Sequence, residues 1–509
     1  MSLWVKFLRL DFSQNTTYFT TVMKTGLIIL GLIGLTCLGR IPFATKYILV
    51  HDSVGFALAL KEFDLYKHQP QTPGFILYVG LAKLLNFFVH DANTSYVILS
   101  ILFSSLSVVF IYLLGKSLFN SRCGIVSALF LWSSPTFWVY GEMALSYICD
   151  TFTSVFVAYM GYQVIIKGKR HWLSGWSIAL GILAGIRLYP VVFLSFMWIF
   201  ALVSIKSWKE ILKQICILVT VCLCWGIPLL ILTGGLPRFI DISLSHYRSA
   251  ALPQLKSFKT LAYTVAATVW GLSAIILSLI ISLKRLTSYE NRTHLVTFFI
   301  IWGGVAFFFL FIFFIGNPGQ ILIFLPCFIL LSSLFVYKRA RVTEYTLVGL
   351  IIFINCFLYF TVRPLSANER ILGINTHKFR NFANFWILDH SNKKLRSREQ
   401  FRELLDVIDK NFSPDTTAII TSDTRYLQPC ALWRVVYYYL PEFQVVKITD
   451  TTQVTDLPPN INTLVWLFDK YHLDMKLVET LLAYDKEVYF STIKDTLRMR
   501  NLVFVTSRE

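Results

Sequence analysis

The chain has 509 residues, of which 55% are hydrophobic, 16% aromatic and only 15% charged, with a mean hydropathy of +0.60. This composition excludes an ordinary soluble domain and describes a polytopic membrane protein. The net charge of +18 does not imply a nucleic acid partner, because the basic residues fall in short clusters between apolar runs, as they do in cytoplasmic loops.

The first 24 residues carry Lys6, Arg9 and Lys24 ahead of a long apolar run with no A-x-A cleavage signal, which reads as an uncleaved first span. About 20 apolar residues cross a bilayer core. The pattern predicts eleven spans, near 22–40, 95–115, 123–140, 144–166, 172–186, 188–205, 211–233, 261–283, 294–315, 319–337 and 343–362. The basic clusters at 115–122, 167–171, 206–214, 284–292 and 337–341 then share one side with the basic N-terminus. This expectation sets the N-terminus in the cytoplasm of a bacterial plasma (inner) membrane and the C-terminus outside it.

The stretch "GFILYVGLAKLLNFF" (74–88) is nearly long enough to span. A crossing there would move every later basic cluster to the wrong side. Lys83, Asn86 and His90 instead give one polar face, the pattern of a helix lying in the interface. Residues 41–94 are therefore expected to form one extracytoplasmic loop. Residues 172–205 read as a hairpin with Arg187 and Pro190 at its outer tip, or as one tilted helix.

After Val362 short β-rich runs (417–421, 443–449, 462–468, 487–492 and 502–506) alternate with helical stretches. One helix is signalled by a capping box, Ser397 and Gln400, with Phe401, Leu404, Leu405 and Ile408 on one face. The division expected is a membrane domain over 1–365 and a small extracytoplasmic α/β domain over 366–509. No glycine follows Gly373, so the latter has no Gly-rich phosphate loop. The nine cysteines show no CxxC and no metal-ligand spacing, which argues for neither a disulfide framework nor zinc.

Ionisable residues at the ends of spans are functional candidates because lipid disfavours them. Asp52, Glu142, Asp150, Arg187, Arg238, His246 and Arg248 all map to the extracytoplasmic side. Each has a structural alternative. Asp52 suits the N-cap of a helix starting near Ser53; Glu142 suits a solvated loop; Arg187 can snorkel. Arg238, His246 and Arg248 suit a solvated loop face, and His68 a turn beside Pro70.

The order of several stretches resembles the GT-C class of membrane glycosyltransferases, specifically the protein O-mannosyltransferase and aminoarabinose-transferase-like family (glycosyltransferase family 39-like). These are Asp52 soon after the first span, "HQPQTPGFILY" (68–78), "GKSLFNSRCGIVSALFLWSSPTFWVYGEMALSYICD" (115–150), "GILAGIRLYP" (181–190) and "GNPGQILIFLP" (316–326). The chain departs from the family in having Asp52 flanked by His51 and Ser53 rather than a paired acidic motif, and Thr72-Pro73 in place of Pro-Pro.

The resemblance implies transfer of a sugar from a polyprenyl-phosphate donor to a glycan, lipid or protein acceptor at the extracytoplasmic face. Such chemistry needs a base for the acceptor hydroxyl and a cation for the phosphate leaving group. Asp52 is the candidate base, and Arg187, with Arg238 or Arg248, the phosphate clamp. His68, His246 and Lys83 complete the substrate-binding candidates. Glu142 or Asp150 would orient the acceptor, Glu142 being preferred as nearer the surface. A divalent cation, if one is used, would fall to Asp52 and Glu142. The alternative is a transporter or flippase of a lipid-linked saccharide, although no internal repeat is visible and the polar residues gather on one face.

Overall fold

The computed structural model describes residues 22–48, 50–205, 207–248, 258–286, 292–313, 318–337, 342–362, 370–371, 374–375, 392–422, 432–448, 458, 460–467, 487–494 and 498–505. The membrane region opens with α1 (Val22–Phe43) and the short α2 (His51–Ala59), followed by α3 (Ile76–Val89) and α4 (Ala92–Leu118). Next come α5 (Ser121–Ser133), α6 (Pro135–Gly141), α7 (Ile148–Gly161), α8 (Trp172–Ile186), α9 (Leu188–Ile205), α10 (Trp208–Thr233) and α11 (Leu236–His246). It closes with α12 (Phe258–Leu272), α13 (Ile275–Leu286), α14 (Arg292–Phe299), α15 (Val305–Phe313), α16 (Leu325–Ser332) and α17 (Val342–Thr361).

Among the described residues six helices are long and apolar enough to cross a membrane, or eight if two bent pairs each count as one span. Both bends have local causes. α5 and α6 meet at 66° where Ser134 is extended ahead of Pro135, which lacks the N–H that would continue the helix. α12 and α13 meet at 92°, with Ser273 in the break at a left-handed φ of 45°. α8 and the stretch Leu325–Val336 are apolar but shorter.

The close packing of α4 on α5 follows from two small residues. A Cβ at Gly115 would lie 2.9 Å from the Cα of Gly124, so only glycines let these backbones approach. Asn120 sits at the reversal, its Oδ1 accepting from Cys123 N at 3.0 Å as the cap of α5. α3 has 14 residues and leaves Leu84, Phe87 and Phe88 exposed. An outward apolar face on a helix this short suits an interfacial position.

Beyond α17 lie a two-stranded hairpin, β1 (Arg370–Ile371) and β2 (Ile374–Asn375), then α18 (Asn392–Asn411), β3 (Thr417–Ser422), α19 (Leu432–Tyr439), β4 (Gln444–Ile448), β5 (Thr463–Trp466), β6 (Glu487–Lys494) and β7 (Arg498–Val505). The last five strands form one sheet in the order β4-β3-β5-β6-β7, parallel except for the β6–β7 pair. The stripe Phe401, Leu404, Leu405 and Ile408 is buried, as its spacing predicts. The capping box is not realised, because α18 begins at Asn392 and takes Ser397 and Gln400 into its interior. Good helix formers at Lys393, Lys394, Leu395 and Arg396, with Leu395 fully buried, extend the helix past the expected start.

Candidate active site

The loop between α1 and α3 is built around a close approach of two backbones. Asp64 and Gln69 exchange backbone hydrogen bonds (2.7 and 2.8 Å), closing a turn in which His68 takes a left-handed φ of 55°. That turn lies against α2 at Gly55, where an added Cβ would fall 2.7 Å from the His68 carbonyl oxygen. Glu62 and Asp64 are engaged with Lys67, whose Nζ is 2.8 Å from Glu62 Oε1 and 3.9 Å from Asp64 Oδ2.

Asp52 is not a cap. The N-cap of α2 is Val50, without a side-chain bond, and Asp52 stands in the first helical turn with 34% of its side chain exposed. It is thus accessible to a substrate and close to positive charge. His51 Nδ1 lies 3.6 Å from its Oδ1. Burial raises the Asp52 carboxyl, but the hydrogen bond from His51 and the charges of Arg187 and Arg434 outweigh that and hold it below the usual carboxylate value. His68 and His246 face each other with ring centroids 5.8 Å apart. Partial burial, followed by the neighbouring His246, Arg434 and His51, lowers the His68 pKa. Burial also lowers that of His246, with Asp52 opposing the shift.

Arg187 occupies the single extended residue between α8 and α9, φ −155° and ψ 109°, and is buried rather than at an exposed tip. Its Nε lies 2.6 Å from Asp150 Oδ1, and its Nη1 donates to Ser146 Oγ at 2.6 Å. The guanidinium also stacks over the rings of Tyr147 (4.2 Å) and Phe75 (5.6 Å). The Arg187–Asp150 contact is an ion pair by distance, yet neither carboxylate oxygen receives an aligned hydrogen bond among the described residues.

The segment joining α6 to α7, which supplies Ser146 and Tyr147, is pinned by three backbone-directed bonds. Ser53 Oγ donates to Ala144 O (2.8 Å), Ser100 Oγ to Met143 O (2.7 Å) and Thr45 N to Glu142 O (2.9 Å). Glu142 is fully buried, which departs from a solvated loop residue. It accepts from Tyr359 Oη of α17, and Arg396 Nη2 of α18 lies 3.8 Å from its Oε1. Its Oε2 has no hydrogen-bond partner among the described residues, and burial pushes its carboxyl up to about 8, with Tyr359, Arg396 and Arg40, itself buried over Trp138 at 4.1 Å, opposing the shift.

The structure therefore brings together Asp52, His68 and His246 on one side and Arg187 with Asp150 on the other, and gives Glu142 a partner set of its own. Lys83, Arg238 and Arg248 are exposed, Arg238 over Tyr66 at 6.0 Å. Asp52 and Glu142, the pair offered for a divalent cation, have different partners. No group of three or more His, Cys, Asp or Glu is placed to hold a metal among the described residues. Sequence reasoning missed His51, Ser146, Tyr147 and Arg434. The one signal for His51 was its place beside Asp52, where the family has an acidic pair.

An apolar pocket of about 290 Å³ adjoins Arg187, lined by Pro73, Phe75, Ile76, Gly185, Trp225 and Leu229 among others. With this arrangement on the page, the likenesses to known proteins become informative. ArnT from Cupriavidus metallidurans, in its structure bound to undecaprenyl phosphate, superposes with a TM-score of 0.56 at 13% identity, over 93% of each chain. The fold is shared with ArnT. Its apo form gives a TM-score of 0.50 at 12% identity, again over 93% of each chain. Residues 75–231 match the family model of dolichyl-phosphate-mannose-protein mannosyltransferases, a stretch that takes in Glu142, Asp150 and Arg187 but starts after Asp52. No protein of curated function matches the sequence. The resemblance to GT-C class transferases read from the sequence is borne out by the family match and by the fold.

Proposed function

We propose that the protein is a membrane glycosyltransferase that moves a sugar from a polyprenyl-phosphate donor to an acceptor at the extracytoplasmic face, with eleven spans over residues 1–365 and an extracytoplasmic α/β domain over 366–509. The observation that carries the reading is a continuity of environments: Phe75 lines the apolar pocket and stacks on Arg187, and the charge of Arg187 reaches Asp52. A lipid phosphate presents the same sequence of chemistry, from apolar tail to anion to sugar.

In this reading the first prenyl units lie in the pocket and the phosphate meets Arg187. Nε and Nη1 are committed to Asp150 and Ser146, and the remaining fork of the guanidinium suits a phosphate oxygen. Asp150, itself fully buried, holds the cation in place. Asp52 takes the acceptor proton as the acceptor oxygen bonds to the anomeric carbon. The bond from that carbon to the phosphate oxygen breaks in the same displacement, with inversion, and the lipid phosphate leaves with its charge on Arg187. Its lowered pKa keeps Asp52 ionised at neutral pH. Glu142 fastens the C-terminal region and the first and last spans behind this centre.

Incubation of the purified protein with a radiolabelled polyprenyl-phosphate sugar tests the reading. Release of the sugar to an acceptor or to water supports a transferase. A donor that stays intact while crossing a liposome membrane supports a transporter instead.

A further inference from the structure

The C-terminal region touches the loop through two helices. α18 makes a plain anchor, with Lys46 N donating to Glu399 Oε1 at 2.8 Å and Arg396 Nη2 to Phe43 O at 2.5 Å. α19 packs on α2 and delivers a cation. Arg434 is only 4% exposed. Its Nη1 lies 3.2 Å from His51 Nε2 and 3.5 Å from Nδ1, while Nη2 donates to the carbonyl oxygens of Lys67 (3.3 Å) and His68 (3.1 Å). The far end of α19 is tied down too, since Ile48 N donates to Tyr439 Oη at 2.8 Å.

Arg434 thus bridges the helix that carries Asp52 and the turn that carries His68, at the point where Gly55 lets the two meet. A guanidinium only donates, so the nearer imidazole nitrogen, Nε2, must accept. The ring proton then sits on Nδ1, the atom facing Asp52. We infer that Arg434 is a positioning residue for sugar transfer: through His51 and the 64–71 turn it fixes the place of the Asp52 carboxylate, so the site is complete only when the C-terminal region is docked.

The inference rests on the proposed role of Asp52. The groups facing Asp52 are His51 of its own helix, Arg187 and Tyr147 of the membrane region, His68 of the turn, His246 of α11 and Arg434 of α19. Of these, Arg434 comes from outside the membrane region and reaches both His51 and the turn. A lysine cannot replace it fully, because one ammonium cannot span three acceptors on two segments.

The test uses the full-length protein in detergent or nanodiscs with a labelled polyprenyl-phosphate sugar. Arg434→Ala should lower kcat by about tenfold or more while the donor KM changes by less than about threefold, the signature of lost positioning rather than lost binding. Arg434→Lys should restore only part of that loss. In a His51→Ala background the further effect of Arg434→Ala should shrink to less than about threefold, since the relay is already cut. Amide hydrogen exchange over 61–74 should quicken in Arg434→Ala at an unchanged melting temperature. That readout does not need activity, so it tests the contact even if the donor is wrong. A wild-type protein that is inactive on every such donor defeats the transferase reading. An active wild type whose Arg434→Ala variant keeps its kcat and its exchange pattern defeats this inference alone, as do His51 and Arg434 losses that multiply independently.

Discussion

Arg187 and Asp150 form a buried ion pair, Nε to Oδ1 at 2.6 Å, across the junction of three helices of the membrane region. Neither charge is comfortable alone there, and each is held by the other. The pair gives the protein a guanidinium whose position is set before any ligand arrives. Preorganised charge of this kind stabilises a leaving phosphate without reorganisation at the moment of reaction.

Arg187→Ala should therefore cost both stability and donor use. Removing one partner of a buried pair leaves an uncompensated charge and typically costs about 3–5 kcal/mol. Arg187→Lys should restore folding more fully than activity, because a point charge cannot make the forked contact. Melting curves and initial rates on the same preparations separate the two effects. An alanine variant with normal donor KM and kcat removes Arg187 from the site.

Gly55 offers a prediction of opposite sign to the ordinary rule. Alanine in place of a helical glycine usually stabilises by about 0.5–1 kcal/mol. Here the new Cβ would lie 2.7 Å from the His68 carbonyl oxygen, so the turn must move away from α2. Gly55→Ala should lower the melting temperature, at a cost of about 1–3 kcal/mol, and reduce transfer. A raised melting temperature would show that the turn and α2 do not meet as described.

What the sequence made legible is what local pattern controls. The apolar stretches of the membrane region are largely helical, although those expected at 123–140 and 261–283 each break into two bent helices and 144–147 is not helical, and the β-rich runs after Thr417 form strands within a residue or a few of their predicted bounds. Asp52 and His246 were singled out from sidedness and His68 from the resemblance of the stretch it opens, and the structure places the three near one another. Contacts set by tertiary packing were not legible. Arg434 and His51 meet across 383 residues of chain, and nothing in "LWRVVYYYL" marks its arginine as an occupant of a loop beside the first span. Asp150 looked like a deep helical residue, and Glu142 like the more available acid. The structure buries both, and because Ser53 and Ser100 hold the 142–147 turn by its carbonyls, Ser146, Tyr147 and Asp150 meet Arg187. The alternative of Asp52 as a cap fails for a simpler reason: α2 starts before it.

The orientation proposed for the chain is checked with two single cysteines. Lys169, between α7 and α8, and Lys410, near the end of α18, are both exposed. In a background with the nine native cysteines replaced, Lys410→Cys in intact cells should react with an impermeant thiol reagent and Lys169→Cys should be protected. Equal labelling or the reverse pattern overturns the eleven-span arrangement.

The electrostatics of Asp52 set a pH dependence. Its pKa is held below the usual carboxylate value, so the base is ionised above that value and loses activity only as pH falls through the lowered one. The kcat/KM profile should show no limb belonging to Asp52 from about pH 5 upward. A limb near neutrality that vanishes in Asp52→Asn would mean that the carboxyl is raised, not lowered.

The central claim is that Asp52 accepts the proton of the hydroxyl that receives the sugar. Turnover of a labelled polyprenyl-phosphate sugar by purified Asp52→Asn tests it most directly. The amide keeps the shape of the side chain, and no cap is lost because Asp52 makes none. It cannot take a proton. The account predicts a loss of kcat of about 100-fold or more, with an unchanged melting temperature and donor KM. Turnover near the wild-type rate in a normally folded Asp52→Asn protein would contradict it.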